Sequence, residues 1–191
     1  MLNGSVHMPL TYHILEKQRL MYQTKVHLEI GELHYTFKNM EKEQWHRMIE
    51  VPVMSTCGMM IHKKYFEMAL AWPSQLGIYG GGENYINYVM AIMGLKKYVY
   101  DADPLCHLGD RRSYHWNADD YNCNRIIANY CVGGEELALK YTNQMRGSKR
   151  RAHHLLQEVI VANKRRREEI KRRQKLSIEQ WLEDWRSHES R

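Results

Sequence analysis

Three glycines precede a carboxylate and an amide in the stretch Gly80-Gly81-Gly82-Glu83-Asn84, and the residues after it predict a helix over 84–93. Glycines let the backbone approach a ligand closely, and the helix that follows places Glu83 in its first turn. A polar side chain at that point can meet a substrate. The alternative is structural, because the glycines can simply form a turn while Glu83 interacts with the positive helix end.

The regions on either side of this stretch predict a mixed α/β body. Before it, residues 51–61 form a β-rich run that leads into a helix start at His62. After it, Gly94 can end the helix, and residues 97–100 predict a short strand. Two further helices are expected at 121–130 and 135–141, separated by Gly133-Gly134.

The composition is that of a globular chain and excludes several classes. The sequence has 191 residues, of which 43% are hydrophobic and 26% charged. No apolar run approaches the roughly 18 residues of a membrane span, and no basic stretch followed by an apolar one opens the sequence. We therefore expect a soluble, cytoplasmic protein that does not act in a membrane.

The cysteines agree with a reducing compartment. The four cysteines are irregularly spaced and form no C-x-x-C pair, so neither a disulfide scaffold nor a standard zinc module is indicated. A zinc site that uses Cys123, Cys131 and a nearby histidine is the alternative to buried thiols.

The positive charge is concentrated at one end of the chain. Residues 145–191 carry 14 Lys and Arg against 7 Asp and Glu, whereas residues 1–144 carry 14 against 15. This shift predicts two modules, a body at 1–144 and a basic helical tail at 145–191.

Three motifs follow one another along the body. The run Cys57-Gly58-Met59-Met60-Ile61-His62-Lys63-Lys64-Tyr65-Phe66 comes first, the glycine-rich stretch second, and His107 third. Their order and spacing resemble the second half of a GT-A-type nucleotide-sugar glycosyltransferase, especially the family-2-like and polypeptide N-acetylgalactosaminyltransferase groups. Gly80 stands where that family has a tryptophan, and the family's metal-binding histidine falls on His107 without a gap.

The resemblance implies a fold and a function. The fold would be mixed α/β, with a partial GT-A-like sheet, flanking helices and a basic C-terminal helical extension. The chain, or the acceptor-side half of an enzyme to which it belongs, would transfer a sugar from a nucleotide-sugar donor to a hydroxyl acceptor. A UDP-sugar is the expected donor, and modified DNA is one candidate acceptor.

The resemblance also implies site residues. Glu83 would take a proton from the acceptor, and Asn84 would orient the acceptor or the carboxylate. His107 would bind a divalent metal, expected to be Mn²⁺ with Mg²⁺ as the alternative, unless it is a structural histidine. The residues expected to contact donor or acceptor are Gly81, Gly82, Arg111 and Arg112, although the two arginines also fit a solvated surface.

The family pattern departs at its metal motif. The usual D-x-D or D-x-H has no counterpart except Ser5-Val6-His7, which would keep His7 as a ligand. A fragment, one half of a split enzyme and a non-catalytic homologue are the open explanations. An isolated second half would leave one edge of the sheet and the nucleotide cleft without their partners, so we expect a protein partner or a homo-oligomer.

The tail has a narrow apolar stripe and a basic face. Three interpretations stay open: a solvated helix packed on the body, a nucleic-acid contact, or an anionic membrane surface met by Trp181 and Trp185. The second supports an alternative function, a non-catalytic nucleic-acid-binding or assembly protein. Its candidate binding residues are Lys164, Arg165, Arg166, Arg167, Lys171, Arg172 and Arg173.

Overall fold

The computed structural model describes residues 4–7, 10–12, 21–29, 32–39, 48–54, 56, 58–100, 105–107, 114–145 and 147–189. Side chains are placed for residues 48, 50–54, 56, 58–99, 114–145 and 147–185. Within this part of the chain, the helices are α1 (Lys63–Met68), α2 (Gly82–Ile92), α3 (Ala118–Gln144), α4 (Lys149–Arg173) and α5 (Ile178–Glu189).

Glycines flank helix α2 on both sides. Gly81 is its N-cap residue, and Glu83 lies in its first turn. After the helix, Gly94 adopts a φ of 67°, a left-handed conformation that glycine enters without steric cost. The N–H of Gly94 then donates to the Ala91 carbonyl, and that of Leu95 to the Met90 carbonyl, both at 2.9 Å. The predicted stop at Gly94 is confirmed.

The two helices expected on either side of Gly133-Gly134 form one kinked element, α3. Asn117 caps its start by accepting a hydrogen bond from the Asp120 N–H at 2.8 Å. The kink lies at Gly134, whose φ of 73° and ψ of −160° are not helical. The guanidinium of Arg167 in α4 lies beside it and donates to the Cys131 carbonyl at 3.1 Å.

The last two helices are capped locally by serines. Ser148 accepts a hydrogen bond from the Arg151 N–H at the start of α4. Before α5, the Ser177 N–H donates to the Gln180 side chain at 2.8 Å, and the Gln180 N–H donates to Ser177 Oγ at 3.1 Å. This reciprocal pair is a capping box.

The strands are β1 (Gly4–His7), β2 (Leu10–Tyr12), β3 (Met21–Glu29), β4 (Glu32–Asn39), β5 (Met48–Glu50), β6 (Met59–Ile61), β7 (Lys96–Tyr100) and β8 (Leu105–His107). They pair through the backbone in two groups. The first has the order β5-β7-β1-β6, and the second has the order β4-β3-β2-β8. The β1–β7 and β2–β8 pairs are parallel and the other pairs antiparallel.

The expected fold class, a mixed α/β fold on a partial GT-A-like sheet with flanking helices, is wrong. The part of the chain with placed side chains is 64% helical and holds two short strands and no sheet of its own. The reason is the location of the apolar residues. Residues 84–92 of α2 are buried around the whole circumference of the helix, and the core residues that surround them come mainly from α3, α4 and α5.

The core joins α2 to all three later helices. The backbone N–H groups of Lys175 and Leu176 also donate to the Ile92 carbonyl at 2.8 and 3.2 Å, which ties the α4–α5 connection to the end of α2. The boundary between a body and a tail at residue 144 stays a prediction, although the helices on its two sides share this core. Its members include Tyr85, Tyr88, Ile92, Ile126, Ile127, Leu155, Leu156, Val159, Ile170, Ile178 and Leu182.

Candidate functional site at the start of helix α2

The glycine turn before α2 is pressed against α3. A Cβ atom added at Gly80 would lie 2.3 Å from the Tyr121 ring, and one added at Gly81 would lie 2.4 Å from the backbone carbon of Asn124. Gly80 also has a φ of 101°, which other residues rarely adopt. Both positions therefore require glycine for reasons of space, and Gly80 for its backbone conformation as well.

A buried asparagine of α3 holds the chain that leads into this turn. Asn124 is 1% exposed. Its Oδ1 accepts from the Gly77 N–H at 2.8 Å, and its Nδ2 donates to the carbonyls of Tyr79 at 2.6 Å and Gly77 at 3.3 Å. The backbone before the glycines is thus fixed by three hydrogen bonds to one side chain.

Glu83 follows the turn and is itself anchored through its backbone. Its carbonyl accepts from Asn87 Nδ2 at 2.9 Å. The Asn87 amide also donates to the Met54 carbonyl at 2.8 Å and accepts from the Met54 N–H at 3.0 Å. Glu83 is half-buried, so a rigid helix end presents its carboxylate at partial exposure.

Asn84 adds a hydrogen-bond donor that its described surroundings do not use. The residue is 9% exposed, and its Nδ2 is buried without a hydrogen-bond partner among the described residues. Leaving such a donor unmet costs roughly 1–3 kcal/mol. An oxygen of a bound molecule can recover this cost.

Trp72 borders the start of α2 and was not singled out from the sequence. Its Nε1 donates to the Gly82 carbonyl at 3.2 Å, and its ring meets Phe66 edge-to-face with centroids 5.0 Å apart. The residue is nevertheless 41% exposed. A tryptophan that is both held in place and open to solvent can form an apolar surface for a ligand.

A second aromatic cluster lies beside Gly80 of the turn. Tyr79, Trp116 and Tyr121 have ring centroids 4.8 to 5.8 Å apart, and Trp116 is 44% exposed. The Arg125 guanidinium carbon lies 4.3 Å from the centroid of the Tyr121 ring. The Trp72-Pro73 pair and the aromatic residues Tyr79, Trp116 and Tyr121 are the sequence signals that would have pointed to these surfaces.

The predicted metal ligands end strands in different groups. His7 is the last residue of β1, opposite Met59 and Val99, whereas His107 is the last residue of β8, opposite Tyr12. The side chains of both histidines, together with Arg111 and Arg112, lie outside the described part of the chain. Within that part, no group of three or more His, Cys, Asp or Glu residues is arranged to hold a metal.

The two described cysteines are free thiols. Burial raises the pKa of Cys131 to about 12, and burial is also the main reason that the pKa of Cys123 is raised. Neither thiol is therefore prepared to act as a thiolate near neutral pH.

The seven candidate cations of the tail separate into two sets. Arg166 and Arg167 are half-buried and donate to backbone carbonyls of other segments. The exposed set is Lys164, Arg165, Lys171, Arg172 and Arg173.

Comparisons with known proteins include a weak structural neighbour. No family model and no curated protein sequence matches the chain. Solved structures that match include a crystal structure of GalNAc-T7 with UDP, GalNAc and Mn²⁺, at 12% identity and a TM-score of 0.47. The match covers 82% of this chain and 34% of that one, so the chain spans about a third of the length of this neighbour.

Among the described helices, none has the length and apolar composition to cross a membrane.

Proposed function

We propose that the protein transfers a sugar from a nucleotide-sugar donor to a hydroxyl acceptor, and that the acceptor binds at the start of α2. The observation that carries this proposal is the position of Glu83. A carboxylate stands on a turn that α3 and Asn87 hold in place, next to an unused amide donor and an exposed, fixed tryptophan. The order of motifs in the sequence supports the same assignment.

Glu83, Asn84 and Trp72 bind different parts of the acceptor. The Glu83 carboxylate accepts a hydrogen bond from the acceptor hydroxyl, and Asn84 Nδ2 donates to a second oxygen of the acceptor. Trp72 covers an apolar part of the same molecule. A carboxylate and an amide on consecutive residues can bind a molecule that carries several hydroxyl groups.

In the transfer step, the acceptor oxygen forms a bond to the anomeric carbon of the donor sugar. The bond from that carbon to the diphosphate breaks, and its electron pair leaves with the diphosphate. Glu83 takes the proton that the acceptor hydroxyl loses. Binding of Mn²⁺ by His7 and His107 stays a prediction.

The test compares Glu83→Gln with the unchanged protein. Release of UDP is measured from UDP-glucose, UDP-galactose, UDP-N-acetylglucosamine and UDP-N-acetylgalactosamine with Mn²⁺, in the presence of methyl glycosides or Ser/Thr peptides as acceptors. A general base contributes about 10²- to 10⁴-fold, so acceptor-dependent release by the variant is expected to fall at least about 100-fold.

Glu136→Gln is the matched control, because Glu136 is an exposed carboxylate on α3. It removes the same charge without touching the start of α2 and should leave the rate unchanged. Thermal unfolding by circular dichroism checks that both variants fold. Full activity of Glu83→Gln would remove Glu83 from the mechanism, and no acceptor-dependent release by the unchanged protein would overturn the proposal.

A further inference from the structure

Helix α4 presents a row of cations to solvent. Successive residues of a helix are rotated by about 100°, which places Arg150, Lys164, Arg165, Lys171 and Arg172 within about a third of its circumference. All five are exposed. These five residues are called the cationic face.

The inward-facing arginines do not belong to this face. Arg166 donates to the Leu70 carbonyl and to the Tyr85 hydroxyl, and Arg167 donates to the Cys131 carbonyl. Both guanidinium groups therefore form hydrogen bonds with other segments of the helical body. Of the seven cations that the sequence suggested, Arg166 and Arg167 therefore leave the set. Arg173, which is paired with Glu169, lies outside the sector, and Arg150 near the start of α4 is added.

Most of the cationic face is not neutralised within the protein. Arg150, Lys164, Arg165 and Lys171 form no ion pair with another described side chain, whereas Arg172 is paired with Glu169. Glu168 is an exposed carboxylate within the same sector. An excess of positive charge thus remains along one side of a single helix.

We propose that the cationic face binds the phosphate backbone of a double-stranded nucleic acid without reading its sequence. From Arg150 to Arg172 the helix rises about 33 Å, at about 1.5 Å per residue. This length is close to one helical turn of duplex DNA, about 34 Å. Four of the five cations lie between Lys164 and Arg172, over about 12 Å of the helix, and Arg150 lies about 21 Å before them. Cations placed in this way can meet phosphates along one side of the duplex, and such contacts need no base recognition.

The composition of the face favours a duplex over a single strand or a membrane. Binding of single strands uses aromatic side chains on which bases stack, and the cationic face has none. Insertion into a membrane uses large apolar residues beside the cations. Leu155, Leu156 and Val159 of α4 are buried in the core instead, and Val161, at 78% exposed, is a single small branched residue. The Lys97 ammonium lies over the Trp181 ring, 5.0 Å from its centroid, and Trp181 is only half-exposed.

The experiment measures binding of the full chain to a fluorescently labelled 30-base-pair duplex DNA of arbitrary sequence, by anisotropy, from 25 to 200 mM KCl. Each phosphate contact contributes about 0.9 to the slope of log K against log salt. Lys164→Gln combined with Lys171→Gln should reduce the slope by about 1.8 and weaken binding at 100 mM KCl at least about tenfold.

Lys63→Gln combined with Lys140→Gln is the matched control. Both residues are exposed on other helices, so the control changes the net charge equally but leaves the cationic face intact. It should keep the slope and nearly all of the affinity. Arg150→Gln with Arg165→Gln provides a second test of the face if the first pair fails to fold.

Three outcomes would overturn the proposal. One is an unchanged slope and affinity in both cationic-face variants. Another is an equal loss in the Lys63/Lys140 control, which would show that net charge alone attracts the DNA. The third is binding to phosphatidylserine vesicles in sedimentation with no binding to the duplex. None of these measurements depends on sugar transfer, so they are independent of the proposed activity.

Discussion

The guanidinium of Arg166 in α4 donates a hydrogen bond of 2.9 Å to the hydroxyl of Tyr85 in α2. The same Nη1 donates to the Leu70 carbonyl at 2.6 Å. Leu70 and Ala71 have φ values of 60° and 50°, which are costly for residues other than glycine. One arginine of α4 therefore ties the strained segment after α1 to the helix that carries Glu83.

Replacing Arg166 should destabilise the protein, although Arg165 beside it is exposed. Arg166→Met leaves the Leu70 carbonyl without this charged donor and removes a partner of the Tyr85 hydroxyl, so the free energy of unfolding should fall by about 2 to 3 kcal/mol. Urea unfolding followed by circular dichroism measures this change. Arg165→Met is the control, because Arg165 is exposed, and its effect should stay within about 0.5 kcal/mol. Equal effects of the two substitutions would contradict the role given to Arg166.

Adjacent glycines of the turn should respond differently to an added methyl group. At Gly81 the new Cβ would overlap the Asn124 backbone, which cannot move away as a flexible side chain can. Gly81→Ala should therefore cost about 1 to 3 kcal/mol of stability and shift Glu83 away from its position. At Gly82 the nearest atom would be 3.6 Å away, an ordinary contact.

Gly82→Ala is consequently the control for Gly81→Ala. Alanine also favours the helix over glycine by up to about 1 kcal/mol, so this variant should be as stable as the unchanged protein or slightly more stable. Thermal unfolding of the two variants side by side, together with their rates of UDP release, measures the difference. A destabilised Gly82→Ala variant would show that the turn is not packed as described.

A buried lysine should make stability depend on pH near neutrality. Lys97 is 2% exposed and donates to the Asn87 carbonyl at 3.1 Å. Burial lowers the pKa of Lys97 to about 7, and the nearby Glu50 carboxylate offsets part of this change. In the unfolded chain a lysine has a pKa of about 10.4. Between these values the unfolded state holds a proton that the folded state has lost, so stability rises with pH.

Comparison of the unchanged protein with Lys97→Met tests this dependence. The difference between their free energies of unfolding should change by up to about 1.4 kcal/mol per pH unit from pH 7 to 9, in favour of the unchanged protein as the pH rises. Burial raises the pKa values of Cys123 and Cys131, which acts in the opposite direction at alkaline pH but equally in both proteins. A difference that stays constant from pH 7 to 9 would show that Lys97 remains charged in the folded state.

Helix ends were predictable because their signals are local. The stop at Gly94 depends on residues within a few positions of one another, and the structure confirms it. The capping box of Ser177 and Gln180 is equally local. The placement of Glu83 in the first turn of α2 follows from the same kind of signal. Trp72 beside Gly82 could not be predicted in this way, because folding alone brings together residues ten positions apart across a loop.

The sequence by itself determined where helices start and stop and that a carboxylate and an amide follow a glycine turn. Tertiary structure decided which surfaces these helices use. Arg165 and Arg166 are neighbours of identical chemistry, yet only Arg166 meets the carbonyl groups of another segment. The mostly helical core was likewise decided by packing, because α2 is buried on all sides and needs cover from helices that come later in the chain. Local patterns depend on residues a few positions apart, whereas burial depends on partners that the folded chain alone brings together.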